Sequence, residues 1–168
     1  SPRGSFCSVR WALVIALGVA LLTLPAQAAR STDSAQQTIR LVSTTVSVRA
    51  VVDRAPRGVP NKGDVVQERS LLRNAVRQFE RAKGAPVGTD VATYTVVSIN
   101  PVRMRMKLTV KLPGGTLRGT AQVVGNSIPV IRIVGGTRNF ANARGTGEVR
   151  VQTAGAQGVL NIYRLRLP

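Results

Sequence analysis

The chain has 168 residues, 24 of them Lys or Arg and 7 Asp or Glu, for a formal net charge of +17 and no His. Without imidazole there is no Ser-His-Asp triad and no zinc site of the usual His or Cys type. A single Cys, Cys7, excludes an internal disulfide, so a fold must rest on its apolar core.

The chain opens with the layout of a secretory leader. Arg3 and Arg10 form a basic start, Trp11 to Leu24 carry no charge, and Pro25 leads into Ala26-Gln27-Ala28, an A-x-A cleavage site. The apolar run is shorter than the ~20 residues that span a bilayer. Residues 1–28 are therefore expected to be a cleavable signal peptide, and the protein is expected to be secreted or held in the cell envelope. Cleavage removes Arg3, Cys7, Arg10 and Trp11, and leaves 140 residues with a net charge of +15. That length suits one domain. Residues 29–37 (ARSTDSAQQ) are polar and patternless and are expected to form a disordered spacer.

From Thr38 onward, short β-branched runs alternate with Gly, Pro and Asn. The first run is Ile39 to Val52, in which Val42, Val46, Val48, Ala50 and Val52 share one parity. This predicts a strand that buries those residues. Asp64 to Leu72 follows, then Gly88 to Ile99. Glu68 to Arg81 also fits an amphipathic helix, with Leu72, Val76 and Phe79 at helical spacing. The preferred reading is a strand running into a connection that contains Asn74.

Val102 to Leu112 alternates most cleanly. Val102, Met104, Met106, Leu108, Val110 and Leu112 share one face, while Arg103, Arg105, Lys107 and Lys111 share the other. Pro113-Gly114-Gly115 predicts a tight hairpin into Thr116 to Val124. Ile128 to Val134 is apolar, and Pro129 belongs at a strand start or a bulge. Gly145 to Val151 and Gly158 to Leu167 complete eight runs. Eight short strands with Gly-rich turns suggest an all-β, eight-stranded antiparallel barrel over residues 38–168. Such a barrel fills with side chains or holds one small ligand.

Gly135 to Thr146 reads GGTRNFANARGT: a Gly-Gly turn, an aromatic, then Ala-x-Gly before a late strand. This segment resembles the signature of the allene oxide cyclase and dirigent superfamily. The ordered set of strands and turns from Ile39 to Leu167 is similar too, closest to the bacterial exported members. Gly135, Gly136, Phe140, Ala143 and Gly145 match the motif, and their expected role is to shape a turn and seat an aromatic. The resemblance implies a cofactor-free barrel, commonly a dimer or trimer. It implies a small apolar or phenolic ligand, and either cyclisation of a reactive lipid or steering of phenolic coupling. Three departures matter. Arg138 stands where the family has Gly, Val66 and Glu68 stand where aromatics are usual, and the first strand lacks a carboxylate. No catalytic residue is carried over.

The residues themselves leave three functions open. A lumenal acid, Glu68 or Asp90, beside Tyr94 would have a perturbed pKa and could serve as acid or base; otherwise these acids pair with surface arginines and Tyr94 packs in the core. Catalysis would need such an acid, whereas pure ligand binding would not. The stripe of Arg103, Arg105, Lys107 and Lys111 is either a solvated strand face or a site for an anionic cell-envelope polymer. Export and few aromatics argue against specific nucleic-acid binding. No metal site is expected.

Overall fold

The computed structural model describes residues 35–151 and 158–168; the expected leader and residues 29–34 of the expected spacer lie outside them. Eight antiparallel strands close into a barrel in simple chain order. They are β1 (Ala35–Val52), β2 (Val65–Asn74), β3 (Pro86–Ile99), β4 (Val102–Leu112), β5 (Gly115–Val124), β6 (Val130–Gly136), β7 (Arg144–Val151) and β8 (Val159–Leu167). Pairing of β1 with β8, from Ala35 opposite Leu167 to Ser43 opposite Val159, completes the closure. The first strand thus begins at Ala35, inside the segment expected as spacer, because Ala35 to Gln37 pair with the end of β8.

Up-and-down order puts every second connection at the same end. The β1–β2, β3–β4, β5–β6 and β7–β8 connections share one end, here called the mouth. The other end, the floor, carries the β2–β3, β4–β5 and β6–β7 connections.

The core sits toward the floor. Leu41, Leu72, Val110, Leu117, Ile133 and Leu165 are buried there, and each fully buried aliphatic side chain contributes about 1.5–3 kcal/mol. Phe140, on a single helical turn (Arg138–Phe140), belongs to the same cluster. The β4–β5 hairpin needs only Pro113 and Gly114, with Gly114 at φ 86°, a conformation glycine adopts freely.

Two expectations are corrected. In β1 the buried residues are Ile39 and Leu41, while Val46, Val48 and Val52 are exposed. The register of β1 against β2 shifts between Thr45 and Ser47, so Val46 is an extra residue and the lumenal parity passes from Ile39 and Leu41 to Val48 and Ala50; the pairing of β1 with β8 ends at Ser43, and the strand beyond it is exposed. The run Glu68 to Arg81 follows the preferred reading of a strand and a connection over the helical alternative, and what is corrected is the place of Asn74. The run is strand to Asn74, followed by a tight reversal in which Gln78 and Arg81 exchange both backbone hydrogen bonds. Phe79 and Glu80 carry φ of 54° and 57° there. Asn74 ends the strand instead of lying in the connection, and its Nδ2 donates to the carbonyls of Gln78 at 2.8 Å and Arg81 at 3.1 Å. One buried side chain thus anchors the whole β2–β3 connection.

Candidate functional site

Alternation along each strand sends every second side chain into the barrel. On β2 these are Val66, Glu68, Ser70 and Leu72; on β3 they are Asp90, Ala92, Tyr94 and Val96. The register brings Ser70 opposite Asp90, Glu68 opposite Ala92, and Val66 opposite Tyr94. Below them the lumen is packed apolar. At mid-height the packing stops, and a cavity of about 190 Å³ remains. Its polar wall is Ser43, Thr45, Glu68, Ser70, Asp90 and Asn161; Tyr94 and Tyr163 add two phenols, and Met106, Leu108 and Ile131 add apolar surface.

Glu68, Asp90 and Tyr94, from two neighbouring strands, therefore line a single chamber. Thr45 Oγ1 and Tyr94 Oη both donate to the Glu68 carboxylate, the latter at 3.4 Å. Burial pushes the Asp90 carboxyl up to about 6; the Ser70 hydroxyl opposes this by hydrogen bonding, and the Glu68 charge adds to it. Burial also pushes the Tyr94 phenol up to about 12, helped by the charge of Glu68. Tyr163, almost fully buried, is pushed up by burial and by Asp90. Both phenols thus remain protonated donors at neutral pH. Asp90, unlike the two phenols, exchanges a proton near neutrality.

Five polar or phenolic lining residues escape sequence reasoning: Ser43, Thr45, Ser70, Asn161 and Tyr163. Asn161 Nδ2 donates to Ser43 Oγ at 2.8 Å, joining β8 to β1 at the chamber wall. The signal that could have found them is parity. Asn161, Tyr163 and Leu165 are buried on one face of β8, and a polar residue on that face has no core role. Gly147 makes room for Tyr163, since a Cβ there would lie 2.8 Å from the ring.

The same inward rows continue toward the mouth and turn apolar. Ala50, Val52, Val66, Val96, Val102 and Met104 line a wider, mostly apolar pocket of about 490 Å³, whose wall also includes Asp53, Asp64 and Asn126. The barrel interior is thus a packed floor, a polar chamber and a mostly apolar mouth. Among the described residues no cluster of three or more His, Cys, Asp or Glu stands ready for a metal ion.

The motif residues lie away from the chamber, at the floor. Gly136 is required by close approach: a Cβ there would sit 2.4 Å from the carbonyls of Phe140 and Thr116. Gly145 is tighter, 1.9 Å from the Arg164 carbonyl. Phe140 and Ala143 are buried, so the segment seals the floor end of β6 and β7 against the β4–β5 hairpin. The stripe of Arg103, Arg105, Lys107 and Lys111 is exposed on the outer face of β4. Among the described residues the only ion pairs are those of Glu148 with Arg150 and Arg164.

The described residues thus form a closed eight-stranded barrel with a polar chamber under a mostly apolar mouth. No protein-family profile matches the chain, and no curated protein matches it. Solved structures do. The chain is similar to a pyocyanin demethylase (19% identity, 77% of this chain and 99% of that one, TM-score 0.59). It is similar to the pterocarpan synthase dirigent protein GePTS1 (17%, 90% and 100%, TM-score 0.59). It is also similar to the Diels Alderase AbmU from Streptomyces koyangensis (17%, 82% and 71%, TM-score 0.58). At these identities what is shared is the fold, an eight-stranded antiparallel barrel. The allene oxide cyclase part of the resemblance rests on the sequence motif.

Proposed function

We propose that this protein is a cofactor-free barrel that binds one small ligand with an apolar or aromatic body and a hydroxyl head. The observation that carries the reading is the stacking of two unlike compartments on one set of strands. A cavity of roughly 150 Å³ accepts a benzene ring, so the chamber of about 190 Å³ has room for a single ring. The mouth adds apolar surface for a longer body. Glu68 accepts hydrogen bonds and Asp90, when protonated, donates one, which together suit a phenol or an alcohol.

Proton-assisted isomerisation or cyclisation of a reactive lipid or phenolic intermediate is the activity such a chamber would support. Asp90, protonated near pH 6, would give a proton to a developing oxyanion. Tyr94 would hold Glu68 in place and shield it from water. The barrels that the chain resembles include a dirigent protein and a Diels Alderase, which supports reading the lumen as a place where a reactive molecule is folded.

The test is a fluorescence titration with 1-naphthol, compared with naphthalene, which lacks the hydroxyl. One hydrogen bond to a charged group contributes about 1.5 kcal/mol, so 1-naphthol should bind about tenfold more tightly. Glu68→Gln should narrow that preference without unfolding the barrel. Absence of saturable binding by both compounds would overturn the reading.

A further inference from the structure

The mouth carries a second pattern, on its outside. Most large apolar side chains exposed on the described residues lie at this end; Val46 and Val48, at mid-height beside Ser70 and Glu68 of β2, and Leu71, Val76 and Val134 are the exceptions. Val59 is 50% exposed, Ile99 55%, Ile128 57% and Val151 72%, and they come from the β1–β2 connection, the end of β3, the β5–β6 connection and the end of β7. Four separate chain reversals thus each place a bare aliphatic side chain on one rim. Scattered exposure would not produce this.

Cations frame the rim. Arg49, Arg54, Arg57, Lys62 and Arg103 are exposed there. The acids do not balance them. Asp53 is exposed, but Asp64 is buried and its carboxylate accepts the backbone N–H groups of Arg54 at 2.8 Å and Asn61 at 2.7 Å. Arg150 is matched by Glu148.

We infer that the rim docks onto an anionic lipid surface, with the aliphatic side chains entering the headgroup boundary and the cations pairing with lipid phosphates. Charge decides the occupant. A second copy of the same rim would bring like charges together across an apolar contact, whereas an anionic bilayer satisfies both features at once. Docking would set the apolar mouth against the lipid phase. The inference stands on the surface alone and does not depend on what the chamber binds.

The experiment uses residues 29–168, which include the closed barrel and its whole core, a compact unit from Thr32 to Pro168. That stretch contains no Trp, so Val59→Trp reports on the rim. Its emission should shift to the blue with phosphatidylcholine–phosphatidylglycerol vesicles and stay unchanged with phosphatidylcholine alone. Arg54→Gln and Arg57→Gln should each weaken binding about fivefold. Ile99→Ser with Ile128→Ser should weaken it at least about tenfold. Lys111→Gln should leave binding unchanged, because Lys111 lies about 20 Å from Arg103 along the barrel, beyond the ~10 Å Debye length. Equal binding to both vesicles would overturn the inference. So would an effect of Lys111→Gln as large as those at the rim, which would assign binding to charge spread over the barrel. A blue shift without vesicles, accompanied by dimers in sedimentation, would overturn it in favour of a second copy.

Discussion

Asp90 has its carboxyl taken off the surface by the strand that carries it. It points into the lumen, opposite Ser70, with Glu68, Tyr94 and Tyr163 lining the same chamber. Its carboxyl titrates near 6 instead of 3.8, chiefly because burial disfavours the charge. The folded chain therefore holds this proton more tightly than the unfolded chain does. Below about pH 4 both states are protonated and the group costs nothing; stability falls as pH rises from about 4 to about 6, by up to ~3 kcal/mol, and stays lost above that. Asp90→Asn should abolish that fall, so urea titrations should show the variant overtaking the parent across this pH window. Arg138 is the other residue at odds with its position. It holds φ 54°, where an L side chain is strained, at the site where the resembling family has Gly. Left-handed backbone costs a non-glycine residue about 1–2 kcal/mol, and glycine returns part of that as entropy. Arg138→Gly should raise the urea midpoint by up to about 1 kcal/mol of stability with an unchanged slope.

Elements were legible wherever one alternation ran uninterrupted. β4 has a single register with β5 throughout, so its apolar and basic faces can be read directly from the sequence. β1 could not be read that way, because Val46 adds a residue without leaving any mark in composition. The β2–β3 connection misleads for a related reason. Leu72, Val76 and Phe79 have helical spacing, yet Leu72 faces the core from a strand and Phe79 reaches it from a reversal at positive φ. Periodicity cannot tell these apart when a strand ends in mid-pattern. The Gly-rich segment is legible for a different reason: its glycines answer to close backbone approach. Gly145→Ala would drive a methyl onto the Arg164 carbonyl and push β7 from β8. It should cost about 3 kcal/mol in urea unfolding, at the upper end of overpacking.

At the scale of the molecule, the barrel divides labour by height. The floor supplies stability through packed aliphatic side chains and the motif turn. The middle gives up packing, and keeps Ser43, Ser70, Glu68, Asp90 and Asn161 around a chamber. The mouth is mostly apolar within and apolar on its rim, with cations around it. Glu68, Asp90 and Tyr94 could be named from sequence only as candidates, because the lumenal faces of β2 and β3 mix polar Glu68, Ser70 and Asp90 with apolar Leu72, Ala92 and Val96 and give no clean alternation. Asn161 and Tyr163 share the parity of Leu165 on β8, but the wall they complete exists only once β8 closes on β1. We propose that this chamber takes a small hydroxylated ligand beside Asp90. The most direct measurement is a carboxyl carbon NMR titration of Asp90 on residues 29–168, without and with 1-naphthol. The account predicts a midpoint near 6 and a resonance displaced when the ligand is added. An Asp90 that titrates near 3.8 and ignores the ligand would contradict it.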